Sequence, residues 1–254
     1  MALRIAMEWL GACSGCEISF LNMGEELIAL LEAGVEIVHA PLLMDHKYYG
    51  QAGEGRELTI PEADVGLVSG AALDEHHLCV LAEMRRKCTM LVALGTCATH
   101  GGIPALMNGR DRRQSLQEVF ETVSTDPGAL LPDVEVPATL ERVYACDEKV
   151  AVDLLLPGCP PHPDRIVEVL HSRLEERPLN LSSRSVCDTC PVERRGKGEL
   201  RDVLRFFTNA SYDRSQGVET MRCLLEQGYM CMGPVTLAGC AGGQAPRCIE
   251  ARVP

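Results

Sequence analysis

Three strand-like apolar runs each end in a glycine-containing turn that carries cysteine. Leu3–Leu10 leads into Cys13-Ser14-Gly15-Cys16, Met90–Gly95 into Thr96-Cys97, and Ala151–Gly158 into Cys159-Pro160-Pro161. An open α/β sheet gathers the carboxyl ends of its strands along one edge, so these four thiols are expected to meet in a common crevice. Four convergent thiolates on three separate strand ends are the ligand set of a 4Fe–4S cluster. Structural zinc also accepts four thiolates. A redox-active Cys-x-x-Cys pair is the remaining reading, and it leaves Cys97 and Cys159 without a role.

Residues 1–177 alternate strand and helix. Strands are expected over Leu3–Leu10, Val35–His39, Val65–Gly70, Thr89–Gly95 and Val152–Leu156. Helices are expected over Glu17–Ala33, Asp74–Lys87 and Pro163–Arg177, with the polar stretch Asn108–Val123 as a further helical segment. Runs such as Met90-Leu91-Val92-Ala93-Leu94 are apolar throughout, as strands covered on both faces are. The alternation predicts a flavodoxin-like, doubly wound parallel sheet. Over residues 178–254 periodicity fades and six cysteines fall within 62 residues. A segment so poor in apolar runs is expected to fold around metal centres, as a small irregular iron–sulfur domain.

The chain carries 36 acidic and 24 basic side chains, a net charge of −12, which argues against a nucleic-acid partner. No apolar run approaches the roughly 20 residues needed to cross a bilayer. The first residues lack the basic and apolar regions of a secretory signal, so a cytoplasmic protein without direct membrane insertion is expected. Thirteen cysteines in a reducing compartment point to metal or redox chemistry rather than disulfides.

Around the first cysteine set, Gly11 and Gly15 are expected to let the backbone turn sharply and present amide N–H groups to inorganic sulfur. Pro160 and Pro161 remove two donors and stiffen the Cys159 loop. Glu17 has two readings: a proton relay or modulator of cluster potential, or an acidic residue favoured by a helix start.

The motifs Gly11-Ala12-Cys13-Ser14-Gly15-Cys16-Glu17, Ala93-Leu94-Gly95-Thr96-Cys97-Ala98 and Leu156-Pro157-Gly158-Cys159-Pro160-Pro161 resemble those of the small subunits of nickel–iron hydrogenases. These belong to the superfamily of the 20 kDa subunit of NADH:ubiquinone oxidoreductase. The complex I relatives carry adjacent cysteines where this chain has Cys-x-x-Cys, so the hydrogenase branch matches better. The resemblance implies that Cys13, Cys16, Cys97 and Cys159 bind a proximal 4Fe–4S cluster facing the nickel–iron centre of a separate large subunit. It implies an electron-transfer role, with further iron–sulfur or flavin subunits as acceptors. The short start and Glu17 directly after Cys16 are similar to the cytoplasmic enzymes that reduce soluble acceptors: NAD(P), a deazaflavin or a heterodisulfide.

The same resemblance extends to Cys187, Cys190, Cys223 and Cys231, which correspond to the distal cluster ligands, with Cys187 where relatives often have His. Zinc remains an alternative for this set. Cys240 and Cys248 correspond to medial-cluster ligands. Two thiolates make half a ligand set, so the natural polypeptide is expected to continue beyond Pro254 into at least one more cysteine. Cys79 and Cys88 are expected to be small core side chains, Cys146 is unassigned, and His100 is expected to be structural or at the surface. His76 and His77 point in different directions on a helix and make no ligand pair.

Overall fold

Five strands, covered on both faces by helices, carry the apolar runs. They are β1 (Leu3–Trp9), β2 (Val35–His39), β3 (Ala63–Ser69), β5 (Cys88–Leu94) and β7 (Leu154–Leu156), all parallel, in the order β2-β1-β3-β5-β7. A separate antiparallel ribbon pairs β4 (Ala72–Asp74) with β6 (Thr139–Tyr144). The computed structural model describes residues 2–45, 47–49, 55, 57–125, 130–181, 184–196, 203–204, 206, 210–213 and 215–236. They belong to two units, Met1–Leu179 and Asn180–Pro254. Cys240 and Cys248 lie outside the described residues.

The order reverses between β1 and β3. The chain moves outward one way from β1 to β2 and the other way from β3 through β5 to β7. Right-handed crossovers then place helices on opposite faces of the sheet. On one side, α1 (Gly15–Leu21) and α2 (Glu25–Glu32) pack against α6 (Pro163–Leu174); α3 (Glu75–Lys87) packs on β3 and β5. Asp74 caps α3 by accepting the His77 N–H at 2.8 Å, and Arg85, Arg86 and Lys87 occupy its last turn, where the helix dipole favours cations. Ile60, Val80, Leu81, Met84, Leu91 and Cys88 form the buried core beneath α3.

Local geometry revises several expectations. The helix expected over Glu17–Ala33 is two helices: the first stops at Leu21 with Asn22 as its C-cap, and Gly24, at a φ of +63° that glycine adopts without strain, is the N-cap of the second. The stretch expected as one helix over Asn108–Val123 is a 3₁₀ turn, Pro104–Gly109, followed by α5 (Arg112–Phe120), whose cap Asp111 accepts the Gln114 N–H. The turn after β5 is itself a short helix, α4 (Gly95–His100), and Cys97 lies within it. The last strand is shorter than expected. Asp153 donates its own N–H to the Leu91 carbonyl, while its carboxylate accepts the Leu91 N–H and the Arg85 guanidinium, so a side chain replaces one rung of the ladder. The β4–β6 ribbon was not expected at all. Among the described residues no helix is long and apolar enough to cross a membrane.

Cys88 packs in the core as expected, but Cys79 is exposed. The buried stripe of α3 runs through Val80, Leu81, Glu83 and Met84, and Cys79 falls outside it. Truncating Leu91, fully buried in the central strand, is expected to cost about 2–5 kcal/mol. Urea unfolding of Leu91→Ala checks this.

Candidate metal centre

Strand register builds the site. Trp9 pairs with Ser69, Ser69 with Leu94 and Leu94 with Leu156, so four strand ends form one row. The chain leaves this row at three places and reaches Cys13 and Cys16, Cys97, and Cys159 within a few residues. Backbone bonds tie the exits together. The Leu10 N–H donates to the Ser69 carbonyl, Gly11 and Ala71 exchange bonds at 3.0 and 3.1 Å, and the Thr96 N–H donates to the Gly158 carbonyl at 2.7 Å. Ser19 on α1 donates through Oγ to the Pro161 carbonyl, joining the first ligand loop to the last.

The four thiols of the first set are free; Cys13, Cys97 and Cys159 lie within electrostatic range of Cys16, and Cys13 and Cys159 within range of Cys97. Burial pushes the Cys16 thiol up to about 12, helped by the negative charge of Glu17 and by the neighbouring Cys97, Cys13 and Cys159. Burial raises the Cys97 thiol as well, while the Ile103 N–H donated to its sulfur works the other way. Positive charge beside them would favour the thiolate forms of Cys16 and Cys97. The packing is equally specific. Gly95 sits at φ +87°, and a Cβ there would overlap the Cys16 sulfur. A Cβ on Gly102, at φ +54°, would lie 2.7 Å from the Cys97 sulfur. The expectation that Gly11 and Gly15 make the first turn is revised: the left-handed residue is Ser14, at φ 60°. Gly15 instead leaves room beside the Cys13 sulfur, 3.4 Å from where its Cβ would be.

The second unit brings Cys187, Cys190, Cys223 and Cys231 around one cavity of about 230 Å³. Its local frame is a 3₁₀ turn, Val186–Asp188, in which the Asp188 carboxylate accepts the Ser185 N–H at 2.8 Å. A second tie is the paired bonds of Glu193 with Met221 and Cys223. Val192, Met221, Leu224 and Tyr229 form a small buried cluster beside the thiols. Burial raises the Cys187 thiol, opposed by Arg194 and reinforced by the other three cysteines. Cys190 is raised mainly by burial, partly offset by an N–H from Val192. A Cβ on Gly233 would lie 3.2 and 3.4 Å from the Cys187 and Cys231 sulfurs. Among the described residues, no three His, Cys, Asp or Glu side chains are arranged to hold a single metal ion.

Two residues of the neighbourhood escaped the sequence reading. Glu8 in β1 and His39 in β2 are buried and bonded at 2.6 Å, and the Tyr48 hydroxyl donates to the same Glu8 oxygen at 2.8 Å. A carboxylate inside an otherwise apolar strand run was the available signal. Glu17 is also buried, with Oε1 bonded to the Ser69 hydroxyl and Oε2 lacking a hydrogen-bond partner among the described residues. His100 is exposed and bonded to Thr99, in line with a structural or surface role. Cys146 is fully buried, with its thiol towards the Gly70 carbonyl.

Residues 13–172 match the family model of the NADH ubiquinone oxidoreductase 20 kDa subunit. Over the whole chain and 80% of the relative's length, the sequence is 34% identical to a subunit of the vhu F420-non-reducing hydrogenase of Methanocaldococcus jannaschii. It is also 34% identical to the delta subunit of the NAD-reducing hydrogenase HoxS of Cupriavidus necator, over 71% of this chain and 83% of that one. A crystal structure of an NAD+-reducing [NiFe]-hydrogenase in its H2-reduced state contains a chain that superposes with a TM-score of 0.65 at 35% identity. The match covers 72% of this chain and 97% of that one.

Two outcomes test the site. Gly95→Ala is expected to lower the iron bound at the first set to less than half of wild type, because the new methyl displaces the Cys16 sulfur; iron analysis of the purified protein reads this. The second concerns the metal-free chain. A thiol raised in the folded state favours folding while it stays protonated, so the Cys16 contribution is fully present below about 9. It is lost as pH rises from there towards about 12. Urea titrations across that range are expected to show a steeper loss for the metal-free wild type than for Cys16→Ser.

Proposed function

Because the chain belongs to the NADH ubiquinone oxidoreductase 20 kDa subunit family, in its hydrogenase small-subunit branch, we propose that it is the electron-transfer subunit of a nickel–iron hydrogenase complex. Dihydrogen turnover belongs to a large subunit that carries the nickel–iron centre. This chain relays electrons between that centre and a further iron–sulfur or flavin subunit.

The observation that carries the reading is the first thiol set: four cysteines reached from three register-aligned strand ends, with Gly95 where a Cβ would overlap the Cys16 sulfur. The donor set and the charge it requires fit an iron–sulfur core. Cys13, Cys16, Cys97 and Cys159 hold a 4Fe–4S cluster, and Cys187, Cys190, Cys223 and Cys231 hold a second. Each supplies a one-electron redox centre when bound. Around the first, the chain's own contribution is to fix the thiolates, lend the Ile103 N–H to one sulfur and limit water at Cys16, factors that set a cluster's potential.

Cys240 and Cys248 belong to a third cluster in this reading, completed by ligands beyond those two. The relative matched along the whole chain belongs to a F420-non-reducing hydrogenase, whereas the NAD-reducing relative matches about 71% of it. That difference favours electron exit through the C-terminal cysteines to a soluble-acceptor subunit.

In the co-purified complex, Cys97→Ser is expected to lower iron by about 4 per chain and reduce hydrogen-dependent dye reduction at least a hundredfold. Undiminished turnover with unchanged iron overturns the reading. Zinc in place of iron and acid-labile sulfide in the wild type would make the thiol sets structural zinc sites instead.

A further inference from the structure

We infer that the pocket between β1, α1 and the turn after β2 is a socket for a cationic side chain, arginine or lysine, of the large subunit. The inference rests on the proposal that such a subunit is the partner.

The pocket encloses about 190 Å³ and has apolar walls from Trp9, Ile18, Leu21, Pro41, Leu42 and Leu43. Five of these are large apolar side chains left substantially in water: Trp9 at 39%, Ile18 at 55%, Leu21 at 46%, Leu42 at 45% and Leu43 at 44% exposure. A contiguous exposed apolar rim of this kind marks a surface that another protein covers. The rim adjoins the first thiol set, since Ser14 and Glu17, flanking Cys16, also line the pocket. The face that a large subunit approaches to reach those thiols is therefore continuous with this rim.

The buried groups define the chemistry of the guest. Two carboxylates line an otherwise apolar space, Glu8 and Glu17, exposed by only 3% and 7%. Glu8 is engaged by His39 and Tyr48. Glu17 has one oxygen on the Ser69 hydroxyl and the other, Oε2, buried with no partner among the described residues. Leaving a buried carboxylate oxygen unbonded is costly, and a charged donor satisfies it better than a neutral one. A guest for this space needs an apolar stem to lie along Ile18, Leu21 and Leu42, and a cationic head for Oε2. Arginine and lysine have that construction. A purely apolar guest would leave Oε2 unsatisfied.

The test uses the co-purified complex and two variants, Glu17→Gln and Leu42→Arg. After dilution, the half-life for release of the large subunit is measured by size-exclusion chromatography, and iron per chain is counted on the same samples. Both variants are expected to shorten the half-life at least tenfold. Removing the charge leaves the buried cation unmatched, and an arginine at the rim repels a cationic guest and opposes burial of that face. A wild-type half-life in Glu17→Gln, with iron intact, overturns the cationic guest; a wild-type half-life in Leu42→Arg overturns both the guest and the docking face. If Glu17→Gln loses iron, Leu42→Arg decides alone, because Leu42 lies on the rim outside every ligand loop. Iron content in the wild-type complex reports separately on the cluster reading, so failure of one proposal is distinguishable from failure of the other.

Discussion

Mutual repulsion among closely held thiolates is the constraint on which the rest of this structure depends. Burial opposes ionisation of Cys16 and Cys97, and the neighbouring sulfurs of the set add to it at both. Such an arrangement is tolerable in two states: protonated thiols, or thiolates around a positively charged core. Everything that brings the four together acts against that repulsion. The row of paired strand ends does so through backbone hydrogen bonds that are indifferent to the charge at the edge. This separation of labour lets a sheet with an ordinary apolar core carry an electrostatically demanding site.

The same edge places two buried carboxylates on and beside β1. Glu8 is compensated within the fold by His39 and Tyr48, whereas Glu17 is compensated only in part, by the Ser69 hydroxyl. An internally paired charge contributes to a defined core, and a half-paired charge beside an open apolar pocket is a group prepared for something from outside. The contrast between the two glutamates separates what the chain completes by itself from what an assembly completes.

The second unit solves the cysteine problem differently. Its four thiols hang on turns, short bridges and a four-residue apolar cluster rather than on a sheet. Few of its described residues are buried, so hydrophobic burial among them supplies little of its order. A metal centre that binds the folded form alone would contribute correspondingly more.

The parallel sheet was legible because apolar runs without alternation have few other uses, and β2 matches its expected limits residue for residue. The identities of the cysteines, their spacing and the glycines beside them were also in the sequence. So was the family, through the motifs around Cys13, Cys97 and Cys159. What local pattern could not disclose was the break of the first helix at Gly24, the short helix holding Cys97, the β4–β6 ribbon, and the exposed position of Cys79. Each turns on backbone conformation or on a facing element that periodicity does not encode. The sequence by itself determined which atoms are available to bind a metal and on which strand ends they stand. Only the tertiary structure decided that Trp9, Ser69, Leu94 and Leu156 share one row, that Gly95 must yield its space to the Cys16 sulfur, and that Glu17 keeps one oxygen unmatched among the described residues. The reason is that register, close approach and hydrogen-bond satisfaction are relations between segments far apart in the chain.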